Sequence, residues 1–249
     1  MYSRKGRFPV QNTQRFDFKQ RSESFFVGAL LSFAGGFLDA YTYITRGGVF
    51  ANAQTGNMVL LGLRLSEQRW ADSLSYLIPI LAFAAGVLLA EWIRSAFRKT
   101  RRLHWRQLVL GIECVLLLTI GFVPSGRWNP SVNIAISFVC ALQAESFRTV
   151  HGLAYATTMC TGNLRSGTEL LFRSIQGKDI GLLRSAMKYY AIIAVFICGA
   201  VGGFLAATAF GIRSVWIAFL ILLFVFILLW QHPPEIRRLS QDTESEAHL

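Results

Sequence analysis

Apolar runs alternate along this chain with short polar or basic stretches. Eight segments stand out, at 24–46, 50–65, 74–97, 107–123, 130–150, 153–172, 187–210 and 214–230. Most approach the roughly 20 residues a helix needs to cross a bilayer. The second and sixth do not; they are the shortest or most polar, and the sixth carries Arg165 and Glu169. Polar tails flank the apolar block at 1–23 and 232–249. A basic start before an apolar run can mark a signal peptide. The first run recurs in the second half, so it reads as a lasting span instead.

That recurrence is the most informative pattern. Thr55-Gly56-Asn57 returns as Thr161-Gly162-Asn163, each time after an apolar segment with an acid near its end, Asp39 or Glu145. The acid-to-Asn spacing is 18 in both halves. A one-residue gap would instead set Phe50-Ala51 against Tyr155-Ala156. Phe83-x-x-Gly86 then matches Phe196-x-x-Gly199. Such self-similarity predicts two units, 24–125 and 126–231, built alike.

Composition narrows the class. The chain has 249 residues, 53% of them hydrophobic and 16% charged, with mean hydropathy +0.42. Soluble domains carry roughly 25% charge, so a soluble enzyme and a disordered chain are both excluded. The net charge of +11 would suggest nucleic acid in a soluble protein. Here the basic residues sit in tails and loops between apolar runs, so the expected partner is the bilayer and not nucleic acid.

Charge placement decides the topology. If all eight segments cross with the N-terminus inside, the 94–106 loop lies outside with Arg94, Arg98, Lys99, Arg101, Arg102, Arg106 and no acid. That violates the positive-inside tendency. If the two Thr-Gly-Asn segments do not cross, six helices remain and both termini are cytoplasmic. Twenty of the 25 basic residues are then inside, leaving Arg46, Arg64, Arg69, Arg127 and Arg213 outside. The expected fold is therefore an all-α polytopic protein of the bacterial inner membrane, with six transmembrane helices and two short re-entrant or interfacial segments. Three spans per unit make it a 3+3 inverted repeat, a plan that places functional sites where the units meet.

Candidate chemistry follows. Irregular backbone at membrane depth is tolerated where it lines a cavity or is buried in protein. Gln54, Thr55, Gly56 and Asn57, with Thr161, Gly162 and Asn163, are thus candidates for a solute or ion path. The alternative is a structural break that the asparagines tie to neighbouring helices. Intramembrane acids are functional candidates by default, which brings in Asp39, Glu113 and Glu145. Arg148 stands three residues after Glu145, so a local pair competes with a transport role there. Asp39 has no base at that spacing. Arg165 and Glu169 stand at i,i+4, the spacing of a surface pair. Gln143 precedes Glu145 on the same segment.

Gly199 and Gly203, in G-x-x-x-G spacing, predict close helix packing between units or between copies in a homo-oligomer. Cys114, Cys140, Cys160 and Cys198 are dispersed, and the four histidines include no H-E-x-x-H. No metal, cofactor or enzymatic activity is expected. A small transporter or channel is the leading expectation; a non-transporting membrane scaffold or assembly partner is the alternative.

The run Gly35-Gly36-Phe37-Leu38-Asp39-Ala40, then Gly48-Val49-Phe50, then Gln54-Thr55-Gly56-Asn57-Met58-Val59-Leu60-Leu61-Gly62, resembles the YoaK family of small bacterial integral membrane proteins. Ala141-Leu142-Gln143 and Thr161-Gly162-Asn163 extend the resemblance over about residues 24–230. It implies an inner-membrane protein with about six spans and no assigned substrate. Family members often have Gln-Asn-Ala where this chain has Gln143-Ala144-Glu145, so a shared role for that position does not carry over.

Overall fold

The computed structural model describes residues 24–97, 105–150, 153–154 and 160–230. The two tails, most of the 94–106 loop and His151 lie outside these residues.

Eight α-helices form: α1 (Phe25–Thr45), α2 (Gln54–Ser66), α3 (Trp70–Phe97), α4 (Trp105–Ile120), α5 (Asn129–Ser146), α6 (Cys160–Gly177), α7 (Ile180–Phe210) and α8 (Val215–Trp230). A two-rung hairpin, β1 (Thr149–Val150) with β2 (Leu153–Ala154), is the one departure from helix expected least.

Local chemistry sets the ends. Ser24 caps α1 by accepting the Val27 N–H. Gly47 and Gly48, both at positive φ, then break it. Asp179 caps α7 through the Gly181 and Leu182 N–H groups. That cap starts α7 seven residues before the apolar run at 187, so Arg184 and Lys188 are helical. Gly211 at φ +57 and a 3-10 turn (Gly211–Ser214) separate α7 from α8.

Among the described residues, three stretches are long and apolar enough to cross a membrane: α1, α3 and the Ile180–Trp230 run. The shorter α4 has 16 residues. The 18-residue α5 carries Asn133, Gln143 and Glu145, and all three are buried inside the protein. Its polarity reflects a helix surrounded by protein instead of lipid. The core runs through α1, α4, α5 and α8, around Leu38, Leu110, Leu117, Ile136 and Leu222.

Helix directions follow from specific contacts. Ser32 donates to the Ile192 carbonyl and Tyr41 to that of Ile212, so α1 and α7 run parallel. Gly86 lies against Phe138 and Ala141, and Arg148 reaches Glu91, so α3 and α5 also run parallel. Gln107 donates to the Leu229 carbonyl while Trp216 donates to that of Leu118, so α4 and α8 are antiparallel. The packing is reciprocal: α1 on α7 and α3 on α5, α2 on α3 and α6 on α7, α4 on α5 and α8 on α1.

Small residues make the parallel pairs close. A Cβ on Gly199 would collide with the Phe33 carbonyl, and one on Gly203 would come within 2.5 Å of the Phe37 carbonyl. This face, which the sequence also offered to a second copy, is taken up by α1 of the same chain.

Candidate functional site

The chain leaves α1 at Thr45 and turns back alongside it. Asn52 Nδ2 donates to the Gly35 carbonyl at 3.1 Å, and Gly35 lies midway along the 21-residue helix. The α2 helix therefore begins at half the depth of α1. Its C-terminus leads directly into α3, which starts at the end of the bundle where α1 finishes. At 13 residues, α2 rises about 20 Å at 1.5 Å per residue. It is a half-helix whose N-terminus points into the protein.

That N-terminus is capped by another helix. No side chain of Ala53, the residue before α2, makes a capping bond. Asp39 of α1 does so, its Oδ1 accepting the Asn52 N–H at 2.6 Å and the Ala53 N–H at 3.4 Å. A carboxylate at this end also answers the positive pole of the helix dipole. Thr55 is exposed in the first turn.

Asn57 closes the preceding loop. Its Oδ1 accepts the Phe50 N–H at 3.1 Å, and its Nδ2 donates to the Phe50 carbonyl at 2.8 Å and to Gln54 Oε1 at 3.0 Å. The side chain is fully buried. Gln54 in turn donates to the Ala51 carbonyl at 2.9 Å. Gly56 lies under the Phe50 ring, where a Cβ would come within 3.0 Å.

The second motif sits likewise in the first turn of α6. Thr161 and Gly162 are exposed and Asn163 is buried, as Thr55 is exposed and Asn57 buried, whereas Gly56 is half-buried under Phe50. Cys160, which opens α6, lies within electrostatic range of Asp39. The α6 helix then runs to the opposite end of the bundle from α2, because it delivers the chain to the start of α7. The 13-residue α2 and the 18-residue α6 thus diverge from the neighbourhood of Asp39.

Other candidates separate from this junction. Gln143 is buried and donates to the Leu31 carbonyl at 2.8 Å. Glu145 pairs with Arg148, as the i,i+3 spacing allows, and Arg148 also reaches Glu91 at 3.6 Å. Arg94 completes the group at 2.9 Å from Glu91. This network stitches the C-terminal end of α3 to that of α5, more than a helical turn beyond the level of Asp39. Glu169 pairs with Arg173 at 2.6 Å, not with Arg165.

Several buried polar groups carried weak signals or none. Arg46 is buried, with Nε and Nη2 on the Tyr41 hydroxyl and its remaining donors on the Val123 and Pro124 carbonyls and Asn129 Oδ1. It gathers the ends of α1, α4 and α5 at one pole. Glu113 is wholly buried, and among the described residues neither carboxyl oxygen has a partner. Cys140 of α5 is likewise wholly buried.

Apolar helices around a buried half-helix junction define a helical membrane protein with irregular backbone inside the bundle. The chain belongs to the DUF1275 family, proteins of unknown function, whose family model matches residues 27–228. It is 26% identical over 199 residues to the UPF0700 transmembrane protein YoaK of Bacillus subtilis (strain 168), covering 76% of this chain and 86% of that protein. No solved structure matches.

Proposed function

We propose that this protein is a small, non-enzymatic transporter or channel of the bacterial inner membrane, with a path for a solute or ion at the half-helix junction. The observation that carries this reading is the start of α2 at half depth, capped by Asp39 and with the head of α6 nearby. Half-helix termini meeting at mid-membrane are a recurring way to build a binding site there.

Helix directions support six spans, and the placement of the basic residues supports cytoplasmic termini. Eight crossings would make α4 and α8 parallel, whereas they are antiparallel. Reciprocal packing supports a 3+3 inverted repeat. Gly199 meets Phe33 as Gly86 meets Phe138, a register that sets Ser32-Phe33 on Ser137-Phe138. Asp39 then falls on Ala144 and not on Glu145, which favours the one-residue gap over the equal acid spacing.

A scaffold is the second reading, favoured by Asn57, whose polar atoms serve its own loop. Reconstitution into liposomes separates the two. The transporter reading expects stopped-flow swelling with small solutes, or ion flux reported by a trapped dye, above the rates of protein-free vesicles. Protein-free rates across a broad solute panel, from folded protein, would leave the scaffold.

A further inference from the structure

Between the N-terminal ends of the parallel helices α3 and α5 lies a cleft of about 200 Å3. Ala71, Leu74, Ser75, Ile78 and Pro79 of α3 form one wall and Pro130 of α5 the other. Further along, the same helices close on each other where Gly86 lies against Phe138 and Ala141. The cleft is thus the open end of a tightly packed pair. Proline shapes both walls. Pro79 has no N–H, which leaves the Ser75 carbonyl without its helical donor. Pro130, in the first turn of α5, likewise has no N–H to offer across the gap. Leu74 and Ile78 stay exposed beside it.

Aromatic residues set its level in the membrane. Trp70 stands one residue before the α3 wall and Trp128 two before Pro130, and both are exposed. Tryptophan side chains gather at the headgroups. From Ala71 to Pro79, α3 rises about 12 Å at 1.5 Å per residue. The hydrocarbon of one leaflet is about 15 Å deep, half of the bilayer core. The cleft therefore runs from headgroup level into a single leaflet, the outer one on the six-span reading.

A cation stands at its mouth. Arg127 is three residues before Pro130, with its guanidinium 5.3 Å from the centre of the Trp128 ring. Among the described residues it has no ion pair and no hydrogen bond. The nearby arginines of the α2–α3 corner are engaged: Arg64 lies 2.8 Å from Glu67, and Arg69 lies 2.5 Å from Asp72. Arg127 is the cation left for a ligand.

We infer that this cleft holds part of one acyl chain of a membrane glycerophospholipid whose phosphate meets Arg127. An apolar cavity of about 150 Å3 takes up a benzene-sized group, so this volume suits a length of chain and not a whole lipid. The methylenes lie against Leu74, Ile78, Pro79 and Pro130. Ser75, one turn below Ala71, stands where an ester carbonyl can accept from its hydroxyl. Seated there, the lipid braces the end of the α3–α5 pair that the Gly86 contact leaves open. The site is separate from the half-helix junction and holds whether or not the protein transports anything.

The test is lipid retention by the purified full chain. Native mass spectrometry should show one phospholipid kept through detergent extraction. Phosphatidylglycerol added back to delipidated protein should rebind and raise the melting temperature, since a ligand that binds only the folded state stabilises it. Arg127→Gln should weaken rebinding about tenfold, the loss of one charge-assisted contact. Ala71→Trp, which fills the cleft and keeps the arginine, should abolish rebinding without lowering the melting temperature of the lipid-free protein. Lys188→Gln, on α7 away from the cleft, should rebind like wild type. No lipid retained by wild type, or unchanged affinity in both cleft variants, overturns the site. So does a lipid-free dimer that Ala71→Trp dissociates, because a second copy would then be the occupant.

Discussion

Asp39 Oδ1 accepts the backbone N–H of Asn52 at 2.6 Å, so a side chain of one membrane helix caps the start of another. The bond fixes where α2 begins and places a carboxylate at the junction of the half-helices. Structure and candidate chemistry therefore share one residue, and substitutions can pull them apart.

Asp39→Asn keeps an acceptor for the cap but cannot carry charge. The folded protein should persist and reconstituted flux should vanish, while Asp39→Glu retains part of it. Asp39→Ala removes the cap as well. Loss of a cap costs about 1 kcal/mol, and the charge–dipole interaction adds up to about 2 kcal/mol in partly buried settings. A cysteine placed at Ala53 should be labelled faster in Asp39→Ala than in Asp39→Asn; equal rates would deny the capping role.

Asn57→Ala strands the Phe50 N–H and carbonyl in a buried loop. The expected loss is about 1–3 kcal/mol for the unpaired groups. Thr55→Ala, on the exposed side of the same turn, should stay within about 0.5 kcal/mol. Denaturation in detergent compares them, and equal stability of the two would refute the loop-closing role.

Gly199→Ala sets a methyl against the Phe33 carbonyl. Overpacking of this kind costs about 1–3 kcal/mol. Gly62 on α2 has open space around it. Gly62→Ala should be neutral or gain up to about 1 kcal/mol through helix propensity. Melting temperatures that move alike for both would contradict the tight α1–α7 contact.

Cysteine labelling in a background lacking the four native cysteines tests orientation. Arg94→Cys should react from the cytoplasmic side and Arg127→Cys from outside. Outside labelling at position 94 would end the six-span proposal.

Much of the architecture was legible because lipid-facing and core-facing helices must be apolar, and such runs are visible one residue at a time. Each Thr-Gly-Asn tripeptide falls in the first turn of a helix, α2 or α6. What stayed hidden depended on partners distant in sequence. Arg46 reads as an ordinary loop arginine, yet Tyr41, Val123, Pro124 and Asn129 close around it only after the helices assemble. Glu169 had two possible partners, Arg165 and Arg173, and helical geometry alone permitted both. The true start of α7 was masked by Arg184, which resembles a loop residue until Asp179 is recognised as a cap. Glu113 carried a signal as an acid in an apolar run, but its lack of a partner among the described residues did not.

The glycine contacts have a mechanical consequence. Where Gly199 and Gly203 let α7 lie on the backbone of α1, and Gly86 lets α3 lie on α5, neither pair has slack for sliding. Each moves as one stiff beam, α1–α7 carrying α6 and α3–α5 carrying α2. On the transport reading proposed above, opening would come from rocking one beam against the other, about the α4–α8 contact. Asp39 belongs to the first beam and the backbone it caps to the second. The hydrogen bond between Asp39 and Asn52 is thus one tie across the seam, alongside those of Asn52 to the Gly35 carbonyl and of Gln143 to the Leu31 carbonyl.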